Sequence, residues 1–255
     1  MYKNHFSLAA EAHAGPNSNS IKKSSEQRRN FIKMAAVGAG TLATAGSLTA
    51  CGAGINEASA QTIDGTSEAI ISKETALIVM HYQTDILNLF PSVAPTLVTN
   101  TRILCDAARA KGIQIYFVKI QFSPGYPEVS SMNKNGEGLK ALGLFISDTI
   151  SPGLGQQANE PLIQGHRVSV FYGTDLQVRL DSAGINTLIM VGIASTGVVL
   201  SSVAYASAAD YRLFTVKDCC YDPDTIVNDH LFTTAFESRT NVLSLADAIT
   251  VIGAS

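Results

Sequence analysis

The chain has 255 residues, 18 Lys and Arg against 21 Asp and Glu, and a net charge of −3. That length fits one domain or two small ones. Hydrophobic residues at 46% exclude a disordered chain, the acidic balance excludes a basic nucleic-acid binder, and four cysteines are too few for a disulfide scaffold.

Residues 1–24 are polar, include Gly15, Pro16 and the run from Asn17 to Ser20, and have no helical or strand period. SSEQRRNFIK (24–33) follows, then the mildly apolar MAAVGAGTLATAGSLTA ending at Ala50. Arg28 and Arg29, with Phe31 close behind and Lys33 before an h-region less apolar than a membrane span, resemble a twin-arginine export signal. Leu48-Thr49-Ala50-Cys51 resembles a bacterial lipobox, which makes Cys51 a lipidated first residue. Ala58-Ser59-Ala60 is the second candidate cleavage site, and the lipobox is the more specific of the two. The expected organisation is a signal peptide over 1–50, a flexible tether over 51–72 and a folded domain over 73–255. The product is expected in the periplasm, held to a membrane only through the N-terminal lipid. Cleavage removes Lys3, Lys22, Lys23, Arg28, Arg29 and Lys33 but only Glu11 and Glu26, so the exported part is more acidic still and does not seek phosphate backbones.

Past Lys73 the pattern changes. Ala76–Met80 is a continuous apolar run, the mark of a strand buried on both faces. Leu97, Leu104, Ala107 and Ala108 predict a helix over 96–111 that stops at Gly112. Ile113–Ile120 and Thr187–Val191 read as strands, Ser195–Ala209 as a small-residue helix, Leu213–Val216 as a strand, 225–237 as a helix and Asn241–Leu245 as a last strand. This alternation predicts a three-layer α/β/α fold with a central, mostly parallel sheet, Rossmann-like in type. In such sheets ligands bind beyond the carboxyl ends of the strands. That rule selects His81–Asp85, Gln121–Glu128, Gly165–Thr174 and Ile193–Val198. The second segment carries Pro124, Gly125 and Pro127 and reads as a lid or pocket wall. No G-x-G-x-x-G after a strand, no phosphate-binding loop and no G-x-S-x-G is present. His81, His166 and His230 form no ligand-spaced cluster, so neither a metal nor a cofactor is expected.

TALIVMHYQTDIL (75–87) and GHRVSVFYGTDLQVRLDSAGINTLIMVGIASTGVVLSSVAYASAADYRLFTVKDCC (165–220) resemble, in content and order, the isochorismatase-like hydrolases. That superfamily includes nicotinamidases and other cysteine amidohydrolases. The resemblance spans about 74–252 and implies their fold. Active members use an Asp in a D-x-Q-x-D pattern after the first strand, a Lys four residues before the Ser of an S-x-F segment, and a Cys six residues after a strand-end Gly. Here those positions are His81, Gly165 (before Ser169 and Phe171) and Val198 (after Gly192). The thiolate mechanism is thereby excluded. Cys219, Cys220 and Cys105 read as packing. Isochorismatases proper cleave a vinyl ether by protonating carbon and adding water, without a covalent nucleophile, and carry a Gln at the end of the second strand; Gln121 falls there.

The resemblance makes His81 the one titratable side chain at the usual acid/base position. Gln121 would position substrate or water. Lys119 shares its side of the strand with Gln121 and is a candidate for reaching the pocket, with a surface charge as the alternative. Phe122, Tyr126 and Phe171 are candidates for an apolar wall, or plain core. Arg167 reads as a bridge to Asp175 or Asp181, with a substrate carboxylate as the alternative partner, and Gln83 and Asp85 read as anchors of the first loop. Ser195, Thr196, Gly197 and Val198 open a helix whose free N–H groups suit an oxyanion, with Ser195 as N-cap. Two functions remain open: a non-cysteine hydrolase of a small polar or cyclic metabolite, and an inactive small-molecule-binding or assembly protein of the same fold. A homo-oligomer is expected in either case, with no nucleic-acid partner. Replacing both Arg28 and Arg29 by Lys is expected to leave the protein in the cytoplasm, read by cell fractionation; unchanged periplasmic delivery would overturn the export reading.

Overall fold

The computed structural model describes residues 70–254. The export signal, the lipobox with Cys51 and most of the expected tether lie outside the described residues. Ile70, the first described residue, is already buried in the core, three positions before the expected boundary at 73.

β1 (Thr75–Met80) is buried at all of its positions. It runs between β2 (Gln114–Ile120) and β4 (Thr187–Ile193). With β3 (Leu162–Gly165), β5 (Arg212–Tyr221) and β6 (Asn241–Leu243) they form a six-stranded sheet in the order β3-β2-β1-β4-β5-β6, parallel throughout. The apolar runs of β1 and β4 follow from this central place, because both faces of a central strand meet a layer of helices. β3 lies at the edge and alternates exposed and buried residues over four positions, too short and too polar to stand out in the sequence. β5 runs on to Tyr221 rather than ending at Val216. A register shift against β4 between Met190 and Gly192 takes up Lys217 and Asp218, and these polar residues mask the continuation through Cys219 and Cys220.

The helices are α1 (Thr84–Leu87), α2 (Ala94–Ala110), α3 (Lys134–Ala141), α4 (Leu176–Ser182), α5 (Leu200–Ala208), α6 (Thr225–His230) and α7 (Leu245–Gly253). In α2, Leu97, Thr101, Leu104, Cys105 and Ala108 recur every three or four residues and make the buried face, with Pro95 in the first turn. Gly112 follows at φ 69°, a left-handed conformation that glycine adopts without a Cβ clash. The helix expected over 195–209 starts with a π-helical turn, Ser195–Val199, before α5. That expected over 225–237 divides into α6 and a π-helical turn, Leu231–Ala235.

The two pleats of the sheet face different layers. A Cβ on Gly192 would lie 2.9 Å from Met80 Cβ and 3.2 Å from Val198 Cγ1. Tyr116, in register with Ile78, feels the charge of Arg179 on α4. Met80 and Tyr116 therefore face α4, the π-helical turn and α5. The opposite pleat, with Leu77, Val79 and Phe117, faces the layer of α2 and α7, which pack on each other and on β5.

Tyr82 ties these parts together. Its buried hydroxyl donates to the carbonyl of Cys219 at 2.7 Å and accepts from Thr101 Oγ1 at 2.6 Å. Arg109 of α2 grips Glu160 with Nε at 2.7 Å and Nη2 at 2.9 Å, pinning the segment before β3. Tyr82→Phe leaves the Thr101 hydroxyl and the Cys219 carbonyl unpaired, and is expected to cost about 1–3 kcal/mol. Urea unfolding checks this as a lower midpoint at unchanged slope.

Candidate functional site

The strand order reverses beside β1: β2 and β3 extend the sheet on one side, and β4, β5 and β6 on the other. The crevice between the carboxyl ends of β1 and β4 is the topological switch point, where open parallel sheets bind ligands. His81 follows β1 directly and Ser195 follows β4 after one residue.

Buried side-chain atoms without a hydrogen-bond partner mark this end of the sheet. Among the described residues they are His81 Nε2, Gln121 Oε1, Ser169 Oγ, Ser195 Oγ and Asn228 Oδ1. Each comes in the segment that follows a different strand: β1, β2, β3, β4 and β5 respectively. A buried polar atom left unpaired costs free energy, and such atoms gathered at one end of a sheet are the signature of a ligand site.

His81 takes a left-handed backbone, φ 57°, while its N–H donates to the Val118 carbonyl at 2.9 Å. Only 5% of the residue is exposed, and burial lowers its pKa to about 3. The imidazole is therefore neutral at neutral pH, which removes the imidazolium as a resting proton donor. Gln121 donates from Nε2 to the Ile146 carbonyl at 3.3 Å and from its backbone N–H to Gly165 at 2.9 Å. Its carbonyl meets His166 Nδ1 at 2.5 Å on the exposed side.

Gly165 and Val198, which the resemblance sets against a lysine and a cysteine, stand in closed surroundings. Gly165 is buried, and a Cβ there would come within 2.9 Å of Thr174 Cγ2. The Thr174 methyl thus occupies the path of any side chain at 165, held by its hydroxyl on the Val170 carbonyl at 2.6 Å. Val198 is 1% exposed and packs by Met80 and Gly192. The described thiols, Cys105, Cys219 and Cys220, are buried and free. Burial raises Cys105 and Cys219 to about 12 and pushes Cys220 up as well, so none is a thiolate at neutral pH.

The turn after β4 differs from the expected one. Ala194, not Ser195, holds the N-cap position, and Ser195 Oγ has no partner. Three of its N–H groups are engaged: Gly197 and Val199 donate to the Ala194 carbonyl at 3.1 and 3.3 Å, and Thr196 donates to Asp222 Oδ2 at 2.9 Å. Thr196 Oγ1 bonds the same carboxylate oxygen. The chain thus supplies its own anion where a free oxyanion turn was expected.

Other expected residues separate. Lys119 pairs in register with Gln164, and Ile120 with Gly165. Lys119 therefore lies on the pleat opposite Gly165, away from the layer that carries Val198. Phe122 and Tyr126 pack at 5.3 Å in a small cluster with Ile120 and Phe145, and the Tyr126 hydroxyl donates to Leu144 at 2.8 Å. Phe171 belongs instead to the main core, stacked at 4.6 Å on Tyr205. The three aromatics do not form one wall. Arg167 donates to the His166 carbonyl at 2.7 Å, while Asp175 pairs with Arg179 and Asp181 accepts from the Tyr211 hydroxyl. Gln83 holds both backbone groups of Ile120, at 2.8 and 2.9 Å, and donates to Asp148 at 3.1 Å. Asp85 accepts from the Phe145 N–H at 2.8 Å. These two side chains position the first loop.

Sequence reasoning missed Ser169 as a site atom, although the S-x-F pattern contains it, and gave no sign of Asn228 or Asp222. Among the described residues, no group of three or more His, Cys, Asp or Glu is placed to hold a metal ion.

A sequence profile of the Isochorismatase domain matches residues 75–247. An isochorismatase family protein, YecD, from Escherichia coli O157:H7 is 26% identical over 151 residues, 58% of this chain and 80% of that protein. N-carbamoylsarcosine amidase from Arthrobacter sp is 32% identical over 127 residues, 46% of each chain, so this chain spans under half of that relative's length. Among solved structures, a cysteine hydrolase from Pseudomonas syringae pv. phaseolicola 1448A aligns with TM-score 0.66 at 18% identity, covering 73% of this chain and 95% of that one. An isochorismatase family protein from Burkholderia thailandensis aligns with TM-score 0.64 at 23% identity, covering 72% and 98%. These two structures share the fold.

His81 gives this end of the sheet a pH signature. Burial holds its pKa at about 3 in the folded chain, against an ordinary 6.5. Below 6.5 the unfolded chain binds a proton that the folded chain does not. Its contribution to stability therefore falls as pH drops from about 6.5 toward 3, with a slope approaching about 1.4 kcal/mol per pH unit. Unfolding measured over that range should show this slope in the wild type and lose one proton's worth of it in His81→Gln.

Proposed function

The chain belongs to the isochorismatase family, and on that premise we propose that it is a member without cysteine chemistry, whose strand-end site takes up a small, uncharged polar molecule. The observation that carries this is the set of unpartnered buried atoms, one after each of the strands β1 to β5. Gln121 Oε1 and Asn228 Oδ1 can only accept hydrogen bonds, so the ligand brings N–H or O–H donors. His81 Nε2 and the hydroxyls of Ser169 and Ser195 take either role. The carboxamide and ureido groups of amidase substrates carry such donors, and one relative is named an amidase. Val198, Gly165 and the neutral His81 supply neither a covalent nucleophile nor a fixed charge, so binding is what this geometry supports best.

A second reading, hydrolysis by water, is favoured by one observation: His81 Nε2 is unpartnered at the position where the family's acid/base group stands. A base whose conjugate acid has a pKa of about 3 holds a proton poorly, so this reading requires the ligand to stabilise the imidazolium. Gln121 would orient the water.

The sequence supports export through Arg28 and Arg29, attachment through Cys51 and delivery to the periplasm. Self-association is supported by α5, which leaves Ala204 and Tyr205 exposed while burying Ser202, Val203 and Ala206.

The test is a panel of amides, ureides, polyols, esters and vinyl ethers, scored for thermal stabilisation and for turnover. Binding of donor-rich neutral compounds without turnover, weakened roughly tenfold by Gln121→Ala, is the expected result. Turnover that survives thiol alkylation but is lost in His81→Ala would replace the binding reading with the hydrolytic one. Failure of every compound to bind would overturn both.

A further inference from the structure

Two buried carboxylates stand at the strand ends. Asp222 directly follows β5 and is 4% exposed. Its Oδ2 accepts the Thr196 N–H at 2.9 Å and the Thr196 hydroxyl, and its Oδ1 accepts the Asp224 N–H at 3.2 Å. The second buried carboxylate, Asp148, is 6% exposed and is held by Gln83 Nε2 at 3.1 Å, the Thr84 hydroxyl and the N–H groups of Asp85 at 3.2 Å and Thr149 at 2.8 Å. Three arginines are paired with other carboxylates, Arg109 with Glu160, Arg179 with Asp175 and Arg102 with Asp106, while Arg167 holds the His166 carbonyl just after β3 and Lys119 lies on the far pleat. Gly165 stands in place of the lysine that the family resemblance leads one to expect.

We infer that Asp222 is a specificity-determining residue that makes the site reject carboxylates and other anions in favour of neutral molecules of the same shape. This rests on the strand-end ligand site proposed above. A helix start ordinarily attracts anions through its free N–H groups and positive end. Here the helical run from Ser195 through α5 has that end filled from within by Asp222, beside the unpartnered Ser195 Oγ. An anionic ligand entering next to Ser195 would meet a buried like charge. A neutral amide would meet only hydrogen-bonding groups. Asp222 does this without touching the bound molecule, by occupying the donors that an anion would use and by its own charge.

Acetamide and acetate separate the two cases, being nearly identical in shape and differing in charge at pH 7. The full chain is titrated with each, and binding is read from the backbone amide resonances of His81, Gln121, Ser195 and Thr196. In the wild type, acetamide is expected to shift these signals and acetate to shift them at least tenfold more weakly. Asp222→Asn keeps an oxygen for Thr196 and removes the charge. At an effective dielectric of about 20, this should strengthen acetate binding roughly tenfold and leave acetamide within about twofold. Asp222→Ser, which retains a short acceptor, serves as the second variant should Asn disturb the fold. Equal binding of both probes by the wild type, or acetate binding that neither variant changes, overturns the role of Asp222 while leaving the ligand site standing. Silence of the strand-end amides toward both probes overturns the ligand site and this inference with it.

Discussion

The hydroxyl of Tyr82 joins three parts of the molecule at one buried atom: the end of β1, helix α2 through Thr101 and strand β5 through Cys219. Neither partner is near it in sequence, so the bond forms only when the layers are assembled. It fixes the chain just beyond the most buried strand, where His81 stands in a left-handed conformation. Such a backbone costs a non-glycine residue about 1–2 kcal/mol. The bond from its backbone N–H to the Val118 carbonyl, and the bonds of Tyr82 next in the chain, hold it there. Gln83 continues the clamp by binding both backbone groups of Ile120, so that a side chain serves as an extra strand residue at the end of β2. Asp148 then gathers the N–H groups of Asp85 and Thr149 and closes the loop.

This dense bonding sets off the few groups that have none. Gln83 is satisfied at both ends of its amide, whereas Gln121 donates through Nε2 and leaves Oε1 unpaired. The hydroxyl of Thr196 is bonded, whereas that of its neighbour Ser195 is not. A fold able to pair nearly every polar group at these strand ends retains unpaired ones only at a cost in stability. That cost is offset when a ligand completes the bonds.

Three residues at the strand ends fit one another. Valine at 198 fills the space beside Met80 and Gly192. Glycine at 165 admits the Thr174 methyl, so restoring a long side chain there would require Thr174 to move. Histidine at 81 is neutral because it is buried without a charged partner. None of the three supplies a fixed charge or a covalent nucleophile, and the buried carboxylate of Asp222 lies against the turn at Thr196. The thiols do not compensate, since burial keeps all the described ones protonated.

The fold class was legible in the residues themselves. Continuous apolar runs at Ala76–Met80 and Thr187–Val191 record burial on both faces, and the three- and four-residue spacing in α2 records a single buried face. The strand ends where the unpartnered atoms lie followed from the same alternation. β3 was not legible, because an edge strand of four residues with one side in solvent leaves almost no hydrophobic signal. The far end of β5 was hidden by the polar residues of its bulge. Tertiary structure alone decided which polar atoms find partners. Asp222 is 26 residues from Thr196 and Asp148 is 65 from Gln83, so no local pattern announces that one carboxylate closes a helix start and the other a loop. It also decided that Lys119 faces away from Gly165 and that Phe171 stacks with Tyr205 rather than with Phe122. Sequence periodicity reports how deeply a position is buried, whereas hydrogen-bond partners and the facing of side chains depend on which distant segments the sheet order brings together.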